Sequence, residues 1–106
     1  MEYSIFTKLA SEEIRTIYDI VEKSLLNGDC DLINEVLYIY TDKGDYVINQ
    51  HGPTSQIWLS SPISNAGYFN YDPKTKEWLD KNNKSLRKRL EEDLIPNLSY
   101  NWAFRI

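Results

Sequence analysis

The run Gln56-Ile57-Trp58-Leu59-Ser60-Ser61-Pro62 is the part of the sequence that decides the fold. Apolar and polar side chains alternate along it, which predicts a short β-strand that ends in a turn at the proline. The two aliphatic side chains share the face expected to meet the core, and Trp58 lies on the other face with Gln56 and Ser60. An exposed tryptophan often marks a binding surface, although a covering helix or loop would explain it equally well.

The sequence around this run has the pattern of a β-meander. Val36–Thr41 alternates apolar and aromatic residues, and the turn signal in residues 42–44 leads into a returning strand over residues 45–50. Residues 51–55 are predicted to form a loop in which His51 is a surface polar residue rather than a metal ligand. Further strands are predicted over residues 29–33, 67–71 and 77–79, so that about six consecutive strands form one antiparallel sheet.

A helix is predicted on each side of the meander. Residues 3–26 place their apolar side chains on one broad arc of a helix, with Glu13 inside that arc, and Asn27-Gly28 is expected to end it. Ser85 is the predicted N-cap of a second helix, which Pro96 ends. The tail over residues 97–106 is too apolar for a free terminus and is expected to pack between the helices.

These elements predict the α+β class, as a two-layer α/β sandwich in one domain over residues 1–106. The order is helix, antiparallel sheet of about six strands, helix. Both helices cover one face of the sheet, and the other face is open.

Composition narrows the functional classes. The formal net charge is −4, from 16 acidic and 12 basic residues, which disfavours nucleic acid and anionic membranes as partners. Cys30 is the single cysteine, so an internal disulfide is excluded, and a strand thiol between two aspartates is expected to be inert. No targeting peptide and no apolar run of transmembrane length is visible. The expected location is a mitochondrion or mitochondrion-derived organelle matrix, or the cytoplasm if the source is bacterial.

Five carboxylates are the candidate metal ligands. Three lie on one face of the first helix, and two flank Cys30 on the first strand, so they form an open patch that would bind a hard cation weakly and with little selectivity. From the residues alone, an ordinary solvated helix face is the commoner explanation. No catalytic residues are predicted, because no Cys/His cluster, phosphate loop or Ser/His/Asp set is evident. The five candidates are Glu12, Asp19, Glu22, Asp29 and Asp31.

Several strings along nearly the whole chain resemble the frataxin family. The most specific is the Ile-Trp-Leu-Ser-Ser-Pro string over residues 57–62. The other matching features are Leu9-Ala10-Ser11-Glu12-Glu13, Tyr46-Val47-Ile48-Asn49, Trp78 and the Ser85–Leu94 helix with its Glu91-Glu92 pair.

This resemblance implies an iron-binding protein that acts as an iron chaperone or regulator of iron–sulfur cluster assembly. It would bind ferrous and ferric iron weakly on the acidic patch, and it would bind a cysteine desulfurase and an iron–sulfur scaffold protein. A monomer is expected, with iron-driven oligomers as in some family members. The partner-binding residues would be Asn49, Gln56, Trp58, Ser60 and Ser61.

Two alternatives remain at this stage. A ferroxidase or iron-storage protein would oxidise ferrous iron on the same acidic ridge, which leaves open whether the chain is an enzyme. A sheet-face binding module unrelated to iron is also consistent with the residues. The chain departs from the family pattern at Lys8, Arg15 and Lys23, which dilute the acidic helix face, at Gln50-His51 after Asn49, and at Tyr68, where a basic residue is common.

Overall fold

The computed structural model describes residues 1–98 and contains a six-stranded antiparallel sheet whose strands follow one another in chain order. The predicted meander and the two-layer α/β sandwich are therefore confirmed. The elements are α1 (Tyr3–Ser24), β1 (Gly28–Ile33), β2 (Val36–Thr41), β3 (Gly44–His51), β4 (Gln56–Ser61), β5 (Asn65–Asp72), β6 (Glu77–Leu79) and α2 (Leu86–Leu94).

The first helix ends two residues earlier than predicted. The backbone N–H of Leu25 still donates to the carbonyl of Val21 at 2.9 Å, but Leu25 itself is extended and forms a β-bridge with Leu98. Tertiary pairing with the C-terminal segment therefore ends the helix. Asn27 does adopt the left-handed conformation, with φ of 53°, yet it belongs to the connection into β1 rather than to a helix cap.

Two strands are longer than the sequence pattern indicated. β3 continues through His51, which pairs with Gln56 of β4, and a 3-10 turn over Gly52–Thr54 replaces most of the predicted loop. β5 begins at Asn65, which pairs with Ser61. The tight β4–β5 turn is possible because the Ser61 hydroxyl accepts hydrogen bonds from the backbone N–H groups of two residues inside the turn.

The second helix follows its prediction closely. The backbone N–H of Lys88 donates to the Ser85 hydroxyl at 3.0 Å, which is the bond expected of an N-cap serine. The stripe of three leucines at positions 86, 90 and 94 is fully buried. The helix ends at Leu94, and Pro96 lies in the short 3-10 turn that follows.

The core lies between the helix layer and one face of the sheet. Four residues of α1 at helical spacing, Ala10, Ile14, Ile17 and Val21, are buried against alternate residues of the strands. Burying one large apolar side chain stabilises a fold by about 1.5–3 kcal/mol, so this packing outweighs the contribution of any single cap. The largest fully buried side chains include Trp78, Tyr46, Phe6 and Phe69.

Glu13 occupies the apolar arc of α1 because it has a partner on α2. The Arg87 guanidinium donates to both carboxylate oxygens of Glu13, at 2.8 and 3.0 Å. This fork geometry raises the pKa of Arg87 and holds the N-terminal part of α2 against α1. The Glu13 side chain is only 14% exposed, so the ion pair belongs to the helix–helix contact.

The C-terminal segment approaches the end of α1. Asn97 and Leu98 are buried, and the Leu26 backbone N–H donates to the Asn97 carbonyl at 2.6 Å. Most of the tail predicted to pack between the helices, residues 99–106, lies outside the described residues. Within residues 1–98, neither helix is long and apolar enough to cross a membrane.

Candidate partner and metal surfaces

The open face of the sheet carries an aromatic cluster centred on Trp58. The imidazole of His51 stacks on the indole, with ring centroids 3.6 Å apart and an angle of 11° between the planes. The ring of Tyr68 meets the indole edge-on at a centroid distance of 5.2 Å. The indole N–H donates to the side-chain oxygen of Gln56 at 2.9 Å. Trp58 is therefore half-buried by its neighbours on the face and held in one orientation.

Strand pairing explains why these side chains meet. Asn49 and Tyr68 are the cross-strand partners of Trp58 on either side, and His51 pairs with Gln56. Residues directly opposite each other in an antiparallel sheet place their side chains on the same face, close enough for contact. The structure thus brings Asn49, Gln56 and Trp58 together, and Ser60 is exposed on the same face.

The prediction that Ser61 lies beside this group is wrong. Ser61 is only 5% exposed, and it lies on the helix-facing side of β4. Its hydroxyl donates to the carboxylate of Asp93 at 2.8 Å, and the hydroxyl of Ser64 donates to the same oxygen. The polar side chain is buried because α2 supplies an acceptor for it, so Ser61 anchors the β4–β5 turn to α2 instead of facing a partner.

His51 is the site residue that the sequence interpretation missed. It was predicted to be a loop residue, and the structure places it at the end of β3 as a cross-strand neighbour of the tryptophan strand. Its Nδ1 lies 2.8 Å from the Thr54 hydroxyl, which fixes the ring over the indole. The sequence contained one usable signal, namely that continuing the alternation of β3 by one residue places His51 on the face of Asn49.

The five candidate metal ligands are all exposed, but they do not form one group. Glu22, Asp29 and Asp31 each contribute, after burial, to the raised pKa of the Cys30 thiol, although the two aspartates lie on the face of β1 opposite Cys30. Glu12 lies ten residues before Glu22 in α1, which is about 15 Å along the helix axis. Within residues 1–98, no three His, Cys, Asp or Glu side chains are arranged to hold a metal ion together.

The pKa values of Tyr18 and Cys30 reflect the negative charges on this acidic surface. The Tyr18 hydroxyl donates to Glu22 at 2.6 Å, and this hydrogen bond is the main cause that raises the pKa of Tyr18 to about 12. Burial, together with the neighbouring carboxylates, raises the pKa of Cys30 to about 11. The thiol is therefore protonated at neutral pH, as expected from the sequence, and the Glu22 carboxylate already has one hydrogen-bond donor.

Arg15, one of the three basic residues expected to dilute the acidic helix face, pairs with a residue outside that face. The Arg15 guanidinium pairs with Glu35, in the turn between β1 and β2, at 2.9 Å. Bonds from Ser11 and Arg15 lower the pKa of Glu35. Arg15 thus joins α1 to the turn rather than to Asp19 or Glu22.

Comparisons with known proteins agree with one another. The family model described as a frataxin-like domain matches residues 1–99. Mitochondrial frataxin of Dictyostelium discoideum is 42% identical over 100 residues, which is 88% of this chain and 52% of that protein. Mitochondrial frataxin of Arabidopsis thaliana is 35% identical over 96 residues, 84% of this chain and 51% of that protein. The chain spans about half the length of these curated relatives.

Solved structures share the fold. Frataxin from Psychromonas ingrahamii superposes with a TM-score of 0.79 at 20% identity, over 95% of this chain and 99% of that chain. A trimeric frataxin from Saccharomyces cerevisiae, complexed with ferrous iron, has a TM-score of 0.58 at 24% identity, over 91% of this chain and 84% of that one. At these identities the likeness establishes the architecture alone.

Proposed function

The chain belongs to the frataxin family, and on that premise we propose that it is an iron-binding factor of iron–sulfur cluster assembly. It binds a cysteine desulfurase–scaffold complex through the open face of its sheet and carries iron weakly on its acidic patch. Docking is its principal activity.

The observation that carries this proposal is the aromatic cluster around Trp58. A tryptophan that is fixed by a stacked ring, an edge contact and a hydrogen bond is already in the geometry needed for binding. Binding then costs little side-chain entropy, which is a property of interface hot spots. Asn49 and Gln56 add amide groups beside the indole, and Ser60 adds a hydroxyl at its border.

The docking proposal is tested by replacing Trp58 with alanine and measuring affinity for the cysteine desulfurase–scaffold complex of the same organism. Loss of a hot-spot tryptophan costs at least about 2 kcal/mol of binding free energy, or roughly 30-fold in Kd. Trp58 is half-buried and lies outside the core, so the thermal unfolding midpoint should fall by only a few degrees.

Ile95→Ala is the matched control, because Ile95 is a large apolar side chain that is 55% exposed at the end of α2. It should leave the affinity unchanged. His51→Gln removes the stacked ring and should weaken binding by several-fold while Trp58 is still present. Unchanged affinity of the folded Trp58→Ala protein would refute docking through this face.

Iron binding is proposed for the surface around Glu22, Asp29 and Asp31. Carboxylates on a helix end and a neighbouring strand suit weak, exchangeable binding of a hard cation, and the lack of a closed arrangement within residues 1–98 argues against tight binding. Iron would have to compete with the Tyr18 hydroxyl for one oxygen of Glu22. The yeast relative complexed with ferrous iron supports the choice of metal.

An anaerobic titration with ferrous iron, followed through backbone amide shifts, tests this site. Shifts should gather at Glu22, Asp29 and Asp31, with smaller ones at Glu12 and Asp19. Changing Asp19, Glu22, Asp29 and Asp31 together to their amides should abolish them, whereas the Glu91/Glu92 amide pair on α2 is the matched control and should not. Shifts that survive the quadruple change would refute the assignment, and oxygen uptake on aeration would favour the ferroxidase alternative.

The relatives also support a proposal for the compartment and the assembly state. We propose a mitochondrion or a mitochondrion-derived organelle, because the curated relatives are named mitochondrial. A monomer that forms oligomers with iron is proposed from the trimeric yeast relative. Sedimentation velocity with and without ferrous iron tests the second point, and a constant sedimentation coefficient would contradict it.

A further inference from the structure

The connection between α1 and β1 contains the single Asn-Gly pair of the sequence, Asn27-Gly28. Both residues are exposed, and Asn27 is left-handed, with φ of 53°. In an Asn-Gly pair the backbone nitrogen of the glycine can approach the asparagine side chain easily, because glycine has no Cβ and its backbone rotates freely. Asparagine is also one of the thermolabile residues of proteins. The connection therefore has the composition of a chemical modification site.

The backbone N–H of Gly28 takes no part in the sheet. β1 is an edge strand, and β2 is its single neighbour within residues 1–98. In an antiparallel pair, alternate residues direct their backbone groups toward the partner strand, and the residues between them direct theirs away from it. The Cys30 N–H donates to Oδ1 of Asp29 at 2.8 Å instead of to β2. The even-numbered residues of β1, which include Gly28, are therefore those that point away from β2.

The turn between β1 and β2 leads to the same conclusion. Asn34 and Glu35 are both left-handed, with φ of 50° and 67°, and they form a two-residue hairpin turn between two residues that pair with each other. Residues that flank such a turn hydrogen-bond to each other, so the odd-numbered residues of β1 bond to β2. Within residues 1–98, no turn or loop hydrogen bond uses the Gly28 N–H either. This nitrogen can turn toward the Asn27 side chain without breaking a hydrogen bond of the sheet.

We propose that Asn27 is a site of deamidation in the folded protein. The Gly28 nitrogen attacks Cγ of Asn27 and closes a cyclic imide, the Cγ–Nδ2 bond breaks, and ammonia leaves with the proton of the Gly28 N–H. Water then opens the ring. Cleavage of the bond between the Gly28 nitrogen and Cγ gives aspartate, whereas cleavage of the bond between that nitrogen and the backbone carbonyl carbon gives isoaspartate.

Either product changes the charge at the start of β1. Each adds one negative charge to the formal net charge of −4, directly before the strand that carries Asp29 and Asp31. Aspartate tolerates the left-handed conformation as asparagine does, so this product is compatible with the observed backbone. Isoaspartate adds one atom to the main chain next to Gly28, where a Cβ would already lie 2.3 Å from the carbonyl oxygen of Tyr40. Isoaspartate therefore displaces the start of β1.

The test is incubation of the full chain at neutral pH in water labelled with heavy oxygen, followed by peptide mapping with fragment mass analysis. Asn34 is the internal control, because it is also exposed and left-handed but is followed by Glu35. Asn27 should acquire the label at least about tenfold faster than Asn34, which requires a barrier difference of only about 1.4 kcal/mol. Asn27→Gln should abolish labelling at position 27, since glutamine would have to close a larger ring, and Asn34→Gln should leave the labelling of Asn27 unchanged.

Two further measurements show whether the reaction occurs in the folded chain. The Gly28 N–H should exchange with solvent at least about tenfold faster than the Asp29 N–H, which bonds to the paired residue of β2. Unfolding the chain in urea should change the labelling rate of Asn27 by less than about tenfold, whereas a reaction confined to unfolded molecules would be about 10³-fold or more slower in the native protein.

Three results would each overturn the inference. They are labelling of Asn27 that is no faster than that of Asn34, exchange at Gly28 as slow as at Asp29, and labelling that occurs only in urea. The outcome is independent of the proposed function, because the assay contains neither iron nor a partner protein.

Discussion

Gly67 in β5 lies directly beneath the guanidinium of Arg89, so one added methyl group there has a calculable effect. A Cβ atom at this position would lie 2.3 Å from Nη1 and 3.0 Å from Cζ of Arg89, and 2.9 Å from Cε2 of Phe69. Gly67→Ala must therefore push the guanidinium away. Arg89 donates to the carbonyls of Ser64, Asn65 and Ala66 at 2.6, 3.2 and 3.1 Å, and to the Ser64 hydroxyl at 2.8 Å.

The expected loss of stability follows from the contacts that the added methyl group disturbs. The four bonds are charge-assisted, but the guanidinium is half-buried and water replaces part of them, so their loss costs roughly 1–2 kcal/mol in total. The ring of Phe69 is fully buried and must also shift, and such overpacking costs about 1–3 kcal/mol. Gly67→Ala is therefore expected to lower the free energy of unfolding by about 2–5 kcal/mol.

Urea denaturation of a double-mutant cycle measures the effect. Arg89→Ala alone should cost about 1–2 kcal/mol, and adding Gly67→Ala to it should cost clearly less than in the wild type, because the clash with the guanidinium is gone and only the contact with Phe69 remains. Gly28→Ala is the control, since its Cβ would meet the backbone carbonyl oxygen of Tyr40 at 2.3 Å and no side-chain change can relieve that contact. Additive effects of Gly67→Ala and Arg89→Ala would refute the reasoning.

Three further predictions concern stability. Glu13→Gln should lower the free energy of unfolding by about 1–3 kcal/mol, because Arg87, whose side chain is only 31% exposed, loses the carboxylate that pairs with it. A loss under about 0.5 kcal/mol in urea denaturation would contradict this prediction. Ser85→Ala should cost about 1 kcal/mol through loss of the N-cap bond, and Ser85→Asp should restore most of it. Folding raises the pKa of Cys30 to about 11 and that of Tyr46 to about 12, so the native state holds these protons more tightly than the unfolded state does. The free energy of unfolding should therefore fall as pH rises above about 8.5. A urea midpoint that stays constant from about pH 8 to about pH 10.5 would contradict this prediction.

The local patterns in the sequence were sufficient for most of the fold. Strand β2 was predicted with its observed bounds because alternation and the following turn signal are both local, and the Ser85 cap was predicted for the same reason. Boundaries failed where the cause is a distant segment. The end of α1 is set by pairing of Leu25 with Leu98, a contact that no window of sequence around residue 25 can reveal.

The same distinction between local and distant causes explains which residues of the candidate site were placed correctly. Trp58 and Gln56 were placed correctly, since alternation within one strand determines their face. Ser61 was misplaced although the same alternation puts it on the core face with Ile57 and Leu59, because a serine next to a turn is usually solvated and its buried acceptor, Asp93, lies 32 residues away in α2. His51 was missed because the extent of β3 depends on its pairing with β4 and not on its own residues.

The distribution of charge, rather than its total, indicates which part of the acidic ridge can attract iron. Helix α1 carries four acids against three bases, and α2 carries three of each, so the helix layer is almost neutral. The strands carry five acids and no base, a charge of −5, and the remainder of the sequence, helices included, sums to +1. A nearly neutral helix face attracts a cation weakly, whereas the carboxylates of β1 have no base on their own strand. The charge distribution therefore favours the end of the ridge that includes Asp29 and Asp31 over the part that lies on α1 alone.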